Sequence, residues 1–219
     1  MMNFIKMKKS FSKTQESRKI WLFLVLFTLL PVLIAHYFLQ NYLFMRPCEQ
    51  CVYIRFDMFL VSFGAFLAFL NPKNHTLKCL AFIFGFWGCY LGLEHSLILE
   101  KIYTLIQDEN PFGGIAGCKQ IPTFVFNLPL HEYFSEWFMP SGECGNDKAF
   151  VPQNVVLSPL QEFFIGHSPN FENGIYSKGW YLVPYFNIFN MAQTCILIFS
   201  FVFIIFFLLF IKFMINLRK

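Results

Sequence analysis

Residues 187–213 of the chain read NIFNMAQTCILIFSFVFIIFFLLFIKF, and Lys212 is their only charged residue. A helix needs about 20 apolar residues to cross the roughly 30 Å hydrocarbon core of a bilayer, where it satisfies its own backbone hydrogen bonds. Three further stretches meet this requirement, at 20–40, 52–70 and 77–99. The sequence therefore predicts an all-α integral membrane protein, a bundle of four transmembrane helices that forms one membrane domain over residues 1–219.

The composition of the 219 residues agrees with a membrane protein. Hydrophobic residues make up 56% of the chain and charged residues only 14%, whereas a soluble domain carries roughly a quarter charged residues. This excludes an ordinary soluble enzyme, and the apolar excess excludes a disordered chain. The net charge of +4 does not indicate nucleic acid binding.

The distribution of basic residues predicts the orientation of the four spans. Segments 1–19, 71–78 and 212–219 hold 11 Lys or Arg and one acidic residue, whereas segments 41–51 and 100–186 hold 5 basic and 10 acidic residues. Because loops rich in Lys and Arg stay on the cytoplasmic side, we expect both termini in the cytoplasm and the other two segments outside. The first span, preceded by basic residues and followed by no small-x-small cleavage site, is interpreted as an uncleaved signal anchor.

Two short amphipathic helices are predicted in the long outer segment. One covers Leu130–Phe138. The other begins at Ser158, with Pro159 in the first helical position and Gln161 placed for a capping box. The pattern leaves open whether these helices lie on the membrane surface or fold over the core of the loop.

Four of the seven cysteines fall outside the predicted spans, on the side expected to be oxidising; they are Cys48, Cys51, Cys118 and Cys144. The other three lie within spans and are interpreted as packing residues; they are Cys79, Cys89 and Cys195. Cys48 and Cys51 form a C-x-x-C motif directly before a helix. A disulfide between two cysteines this close in sequence adds little stability. The helix N-terminus is expected to lower the thiol pKa of the pair, which favours thiol exchange.

Arg55 lies four residues after Cys51, on the same helical face and at the depth where lipid begins. A cation in this position is costly and usually functional, unless its side chain snorkels to the interface. A redox pair beside lipid indicates a lipid-soluble electron acceptor.

Cys118 and Cys144 lie 26 residues apart in a glycine-flanked loop. Alone, such a pair favours a structural disulfide worth roughly 3 kcal/mol in the entropic model. Beside a C-x-x-C, it favours a second exchangeable pair that passes electrons between a soluble protein and the fixed pair. A zinc site built from all four cysteines fails on spacing, and a haem held by His36 and His95 has weak support, so no metal is predicted.

The string PCEQCVYIR at 47–55, PSGEC at 140–144 and the order of the spans resemble the DsbB/DsbI family of bacterial inner-membrane, disulfide-generating oxidoreductases. NPKN at 71–74, FNLPL at 126–130 and GWYLVP at 179–184 are similar to its DsbI branch. The resemblance implies a four-helix membrane fold.

The same resemblance implies a route for electrons. A reduced periplasmic thioredoxin-fold oxidant of the DsbA or DsbL type would attack Cys118, with Cys144 as the resolving partner. Electrons would then pass to Cys48 and Cys51 and on to a membrane quinone, either ubiquinone or menaquinone. The resemblance leaves open the final client proteins and the role of the stretch 145–178.

The resemblance also implies a role at the quinone site for three further residues. Arg55 matches the family's quinone-site arginine, and His95 with Glu94 is expected to line the same pocket. Two alternatives remain: a non-catalytic membrane docking protein with structural disulfides, and an enzyme similar to vitamin K epoxide reductase, although that family places its C-x-x-C late in the chain.

Overall fold

The computed structural model describes residues 16–108, 118–153, 155–167 and 170–217. Its helices are α1 Arg18–Leu33, which continues as a π-helix over Ile34–Tyr42, α2 Glu49–Leu70, α3 His75–Gln107, α4 Leu130–Tyr133, α5 Ser135–Phe138, α6 Pro159–Ile165 and α7 Met191–Leu217. Two 3₁₀ turns cover Val125–Asn127 and Pro184–Phe186, and an antiparallel strand pair joins β1 Tyr181–Val183 to β2 Ile188–Asn190. Most of the predicted signal anchor's basic segment, residues 1–15, lies outside the described residues.

Within the described residues, four helices are long and apolar enough to cross a membrane: Arg18–Tyr42, Glu49–Leu70, His75–Gln107 and Met191–Leu217. The first three contain the stretches 20–40, 52–70 and 77–99 identified by hydropathy, and the fourth covers 191–213 of the stretch 187–213. The predicted fold class, an all-α membrane protein with four spans, is confirmed.

The chain divides into two compact units. The first contains the described residues up to Pro31 together with Asp57–Gly92 and the described residues from Ile198 onward. The second contains Val32–Phe56 and the described part of Leu93–Leu197, and it includes all the predicted site residues.

Aromatic rings fill the core of the first unit. The fully buried Trp21 of α1 contacts Phe82 of α3 and Phe206 of α7, with ring centroids 5.9 and 6.1 Å apart. At Gly92 of α3, a Cβ atom would come within 2.2 Å of the Phe199 ring of α7. Small residues at such positions allow membrane helices to approach closely, which here means α3 and α7.

In the second unit, α6 packs on the segment that follows the π-helix. Ile165 belongs to a buried cluster with Leu43. The predicted capping box is confirmed, because Ser158 accepts a hydrogen bond from the Gln161 N–H and the Gln161 side chain accepts one from the Ser158 N–H. Gln161 also donates to the Tyr42 carbonyl at 2.8 Å. This helix therefore folds over the protein's own core.

The predicted helix over Leu130–Phe138 is broken at Phe134, whose φ of −130° separates α4 from α5. Leu130 and Phe138 pack against a buried cluster that contains Val52. The break allows the apolar side chains on both short helices to reach this cluster.

Several span boundaries differ from the sequence expectation, and two of the differences have a clear structural cause. Helix α3 continues to Gln107, eight residues beyond the predicted end, because Leu99 and Ile102 extend its buried face. Helix α7 begins at Met191 and not at residue 187, because the strand pair occupies the preceding residues and Asn190 accepts a hydrogen bond from the Gln193 N–H at 2.8 Å.

Candidate active site

Cys48 and Cys51 lie at the start of α2 as two free thiols. We call them the inner pair. They are 2% and 9% exposed. The Cys51 N–H donates a hydrogen bond of 3.2 Å to the Cys48 sulfur, and the Val52 N–H donates to the Cys48 carbonyl at 3.1 Å. The first turn of the helix therefore fixes the position of both sulfurs.

The expected lowering of the thiol pKa is wrong for Cys48. Burial raises the pKa of this thiol well above its ordinary value, and the neighbouring Cys51 sulfur raises it further. The Cys51 N–H acts in the opposite direction with a smaller effect. Loss of water disfavours a thiolate more strongly than one helix N-terminus favours it.

Cys118 and Cys144 are joined by a disulfide, with their Cα atoms 5.9 Å apart. We call them the outer pair. Both line a cavity of about 940 Å³, together with Ser141 and Glu143. A cavity at a disulfide provides the access that an attacking thiolate from another molecule requires.

The two arms of the outer loop are hydrogen-bonded to residues that flank Cys48. The N–H groups of Ser141 and Gly142 both donate to the Pro47 carbonyl at 3.0 Å. The N–H of Lys119, next to Cys118, donates to the Glu49 carboxylate. A Cβ at Gly142 would lie 2.5 Å from the Arg46 carbonyl oxygen, so the close approach of this arm requires glycine.

Arg55 is buried at 6% exposure and does not extend into solvent or lipid. Its Nη1 donates to Gln40 Oε1 at 2.7 Å and to the Trp137 carbonyl at 3.4 Å. Gln40 in turn donates to the Glu136 carbonyl at 3.1 Å. The snorkelling alternative is therefore wrong, and the guanidinium is held one helical turn below Cys51.

His36 is a member of this site that sequence reasoning considered only as a haem ligand. It is 2% exposed, and its ring stacks on Trp137 with a centroid distance of 3.7 Å. Its Nε2 lies 3.5 Å from Asn41 Nδ2, whereas its Nδ1 is buried without a hydrogen-bond partner among the described residues. An unsatisfied buried polar atom is costly, and it indicates a place where a ligand atom can bind.

The structure places His95 against Tyr53, with the rings stacked at 4.8 Å. Glu94 is exposed. Tyr53 and Arg55 are two residues apart on α2, so they leave the helix about 200° apart. The role of His95 at an acceptor site stays a prediction.

Asp147 was not identified from the sequence. It accepts a hydrogen bond from the Tyr103 hydroxyl, and its charge acts on Cys48. Loss of water raises the pKa of the Asp147 carboxyl to about 6, although the hydrogen bond from Tyr103 opposes the shift. Among the residues that the structure describes, no group of three or more potential ligands could hold a metal ion.

Comparison with known proteins identifies the family. A family model described as disulfide bond formation protein DsbB matches residues 17–210. The chain belongs to the DsbB family. The family match confirms the resemblance that PCEQCVYIR and PSGEC indicated.

Three relatives in the DsbB family show how far the similarity extends. The chain is 48% identical to a putative protein-disulfide oxidoreductase DsbI of Campylobacter jejuni subsp. jejuni, over 100% of this chain and 84% of the relative. It is 40% identical to the protein of the same description from Campylobacter fetus, over 94% and 91%. It is 43% identical to the protein-disulfide oxidoreductase DsbI of Escherichia coli, over 85% and 82%. These matches confirm the prediction of a membrane-embedded protein-disulfide oxidoreductase.

Proposed function

We propose that the protein oxidises the dithiol of a periplasmic thioredoxin-fold protein of the DsbA or DsbL type and delivers the electrons to a membrane quinone. One observation carries this proposal: residues beside both outer cysteines are hydrogen-bonded to Pro47 and Glu49, which flank Cys48. Two pairs held next to each other suit successive thiol–disulfide exchange. The names of the relatives support the disulfide chemistry.

The first exchange takes place at the outer pair. A partner thiolate attacks the Cys118 sulfur, the bond to Cys144 breaks, and the Cys144 sulfur leaves with the electron pair and takes up a proton. The second partner thiol then displaces Cys118, so the partner leaves as a disulfide. The outer pair has gained two electrons and two protons.

The second exchange returns the outer pair to its disulfide and reduces the inner pair. A Cys118 or Cys144 thiolate attacks the Cys48–Cys51 disulfide, whose sulfurs accept two electrons and two protons. The bonded outer pair and the free inner thiols of the structure correspond to the state that follows this exchange.

The residues around Arg55 fit a quinone. A quinone supplies a lipid-soluble acceptor for two electrons and two protons. Arg55 provides a buried cation on the face of α2 that carries Cys51, where it stabilises negative charge. Among the described residues, the buried Nδ1 of His36 has no hydrogen-bond partner and is available to a polar ligand atom, and the Trp137 ring stacks beside it.

The same proposal includes the cellular location. We infer a bacterial inner membrane protein with both termini in the cytoplasm, because the segments that flank the spans carry basic residues on that side. Cys48, Cys51, Cys118 and Cys144 then face the periplasm.

A reconstituted reaction tests the proposed function. Purified protein, a reduced DsbA-type protein and a soluble quinone are mixed, and quinone absorbance is followed. We expect turnover by the wild type and none by Cys48→Ser or Cys118→Ser. A wild type without turnover, or an unchanged rate in these variants, contradicts the proposal and favours a docking protein with structural disulfides. Accumulation of a partner adduct on Cys118 in Cys144→Ser tests the order of transfer.

A further inference from the structure

Glu49 is a buried carboxylate between the two inner cysteines. It is 3% exposed, and its two oxygens accept different hydrogen bonds: one from the Tyr53 hydroxyl at 2.8 Å and one from the Lys119 N–H. Burying a carboxylate is costly unless such bonds compensate it. Burial of Glu49 is therefore costly to stability, and one of its compensating hydrogen bonds comes from Lys119, the residue next to Cys118.

Tyr53 extends the same connection by one helical turn. Its hydroxyl accepts a hydrogen bond from the Thr123 N–H at 2.8 Å, and its ring packs against Phe124 with centroids 5.5 Å apart. Two backbone N–H groups of the segment after Cys118 are thus bound by side chains of α2. This segment is docked on the first two turns of the helix by Glu49 and Tyr53.

The other arm of the outer loop is attached differently. Ser141 and Gly142 donate to the carbonyl of Pro47, which is a backbone contact on both sides. No side-chain substitution removes that contact directly. Next to Cys118 the contacts with the start of α2 are therefore made to side chains, whereas Ser141 and Gly142, near Cys144, bond to a backbone carbonyl.

We propose that Glu49 and Tyr53 form a latch that positions Cys118 for exchange with the inner pair. This inference rests on the proposed function. The latch acts in the internal step, in which the outer dithiol reduces the Cys48–Cys51 disulfide, one S–S bond forms as the other breaks, and two electrons and two protons move inward. Glu49 and Tyr53 are positioning residues, because neither exchanges electrons with a sulfur.

Glu49 and Tyr53 do not line the cavity through which the partner reaches the outer disulfide, so we expect the first exchange not to depend on them. Loss of the latch should therefore slow one step and leave the other unchanged. Small errors in the placement of reacting groups reduce rates by up to about a hundredfold.

The test uses fully oxidised, full-length protein without quinone, mixed with an excess of a reduced DsbA-type protein. Each wild-type molecule holds two disulfides and should oxidise two equivalents of this protein, one at the outer pair and one after internal transfer. We expect Glu49→Ala to oxidise the first equivalent at the wild-type rate and the second about tenfold to a hundredfold more slowly. Rapid acid quench and thiol labelling give both rates.

Three further variants separate positioning from folding. Tyr53→Phe keeps the ring contacts and removes only the hydroxyl, so it should slow the second phase alone. Glu49→Gln keeps one acceptor oxygen and should restore part of the rate. Glu132→Gln removes an exposed carboxylate elsewhere in the outer segment and should match the wild type.

The outcomes are distinct for the two proposals. If Tyr53→Phe and Glu49→Ala oxidise both equivalents at wild-type rates, the latch is wrong. If Tyr53→Phe slows both phases equally, the latch is also wrong, because a selective effect is required. If the wild type itself oxidises no equivalent, the proposed function fails whatever the variants do.

Discussion

The inner and outer cysteine pairs have the same chemistry and differ in access at one sulfur, because Cys118 is partly exposed whereas Cys144 is buried like Cys48 and Cys51. The inner sulfurs are three residues apart, buried and free, whereas the outer sulfurs are 26 residues apart, bonded and next to a cavity of about 940 Å³. A folded partner can therefore approach Cys118, whereas the burial of Cys48 and Cys51 excludes it. The comparison shows that access to one sulfur, that of Cys118, distinguishes the roles of two otherwise similar pairs.

Removing the cation near the inner pair should have the largest effect. Arg55→Met takes away the charge that stabilises electron delivery, and we expect kcat with quinone to fall by about 10²–10³. Oxidation of a dithiol partner without quinone should be unchanged, because it does not include electron delivery to the quinone. The kcat of Arg55→Lys with quinone should lie between those of the wild type and Arg55→Met, because lysine keeps the charge but lacks the planar guanidinium.

Arg18→Gln, at an exposed arginine, provides the control and should behave as the wild type. Equal loss of quinone reduction and of quinone-free oxidation in Arg55→Met would place the arginine in general folding and contradict its assignment to the inner site.

The next largest effect is expected at Asp147, on the pH dependence of the free energy of unfolding. Its pKa of about 6 in the folded protein exceeds the ordinary 3.8, so the unfolded carboxyl ionises first as pH rises. The free energy of unfolding should fall between pH 4 and 6, by up to about 3 kcal/mol, and stay low above pH 6. Asp147→Asn keeps an acceptor for Tyr103, so it should flatten this decrease and be more stable at pH 7.5.

Thermal unfolding in detergent from pH 4 to 8, followed by tryptophan fluorescence, measures the difference. The same slope in wild type and Asp147→Asn would show that this carboxyl is not the group responsible.

A labelling experiment sharpens the contrast in access. In fully reduced protein, a hydrophilic maleimide at pH 7 should modify Cys118 more than about tenfold faster than Cys48. The reason is that burial raises the pKa of Cys48, and each unit of increase lowers the thiolate fraction about tenfold. Peptide mass spectrometry gives the two rates. Equal rates would mean that the inner pair is open to solvent.

The smallest effect is expected at the cap of α6, away from both pairs. Ser158→Ala removes the acceptor for the Gln161 N–H and should lower the free energy of unfolding by about 1 kcal/mol. The rate of quinone reduction should not change. Ser158→Thr keeps the acceptor and should retain most of the stability, so a similar loss in both variants would assign the effect to packing.

The parts of the fold that depend on local sequence were predictable. Hydropathy located the four spans because each needs only its own apolar length, and the capping box at Ser158 needs only neighbouring residues. The extension of α3 to Gln107 and the break at Phe134 were missed, because both depend on which buried cluster is available to pack against.

The same distinction between local and long-range information applies to the site residues. Cys48, Cys51 and Arg55 were located by their spacing on one helix. The bonds of Glu49 to Lys119 and the stacking of His36 on Trp137 join residues 70 and 101 positions apart, which no local pattern reveals. The pKa of Cys48 was predicted in the wrong direction because its sequence neighbours indicate the helix N-terminus and not the degree of burial.

The geometry of the site depends on the number of residues in the π-helix over Ile34–Tyr42. Its wide turn brings His36 and Asn41 together at a spacing of five residues, and the Leu43 N–H bonds to the Phe38 carbonyl at 2.9 Å. Deleting one residue here would allow an ordinary α-helix and rotate the flanking residues by about 100° relative to each other. A related chain with a one-residue gap in this segment would therefore lose the arrangement of His36 and Asn41, even if it retains both residues.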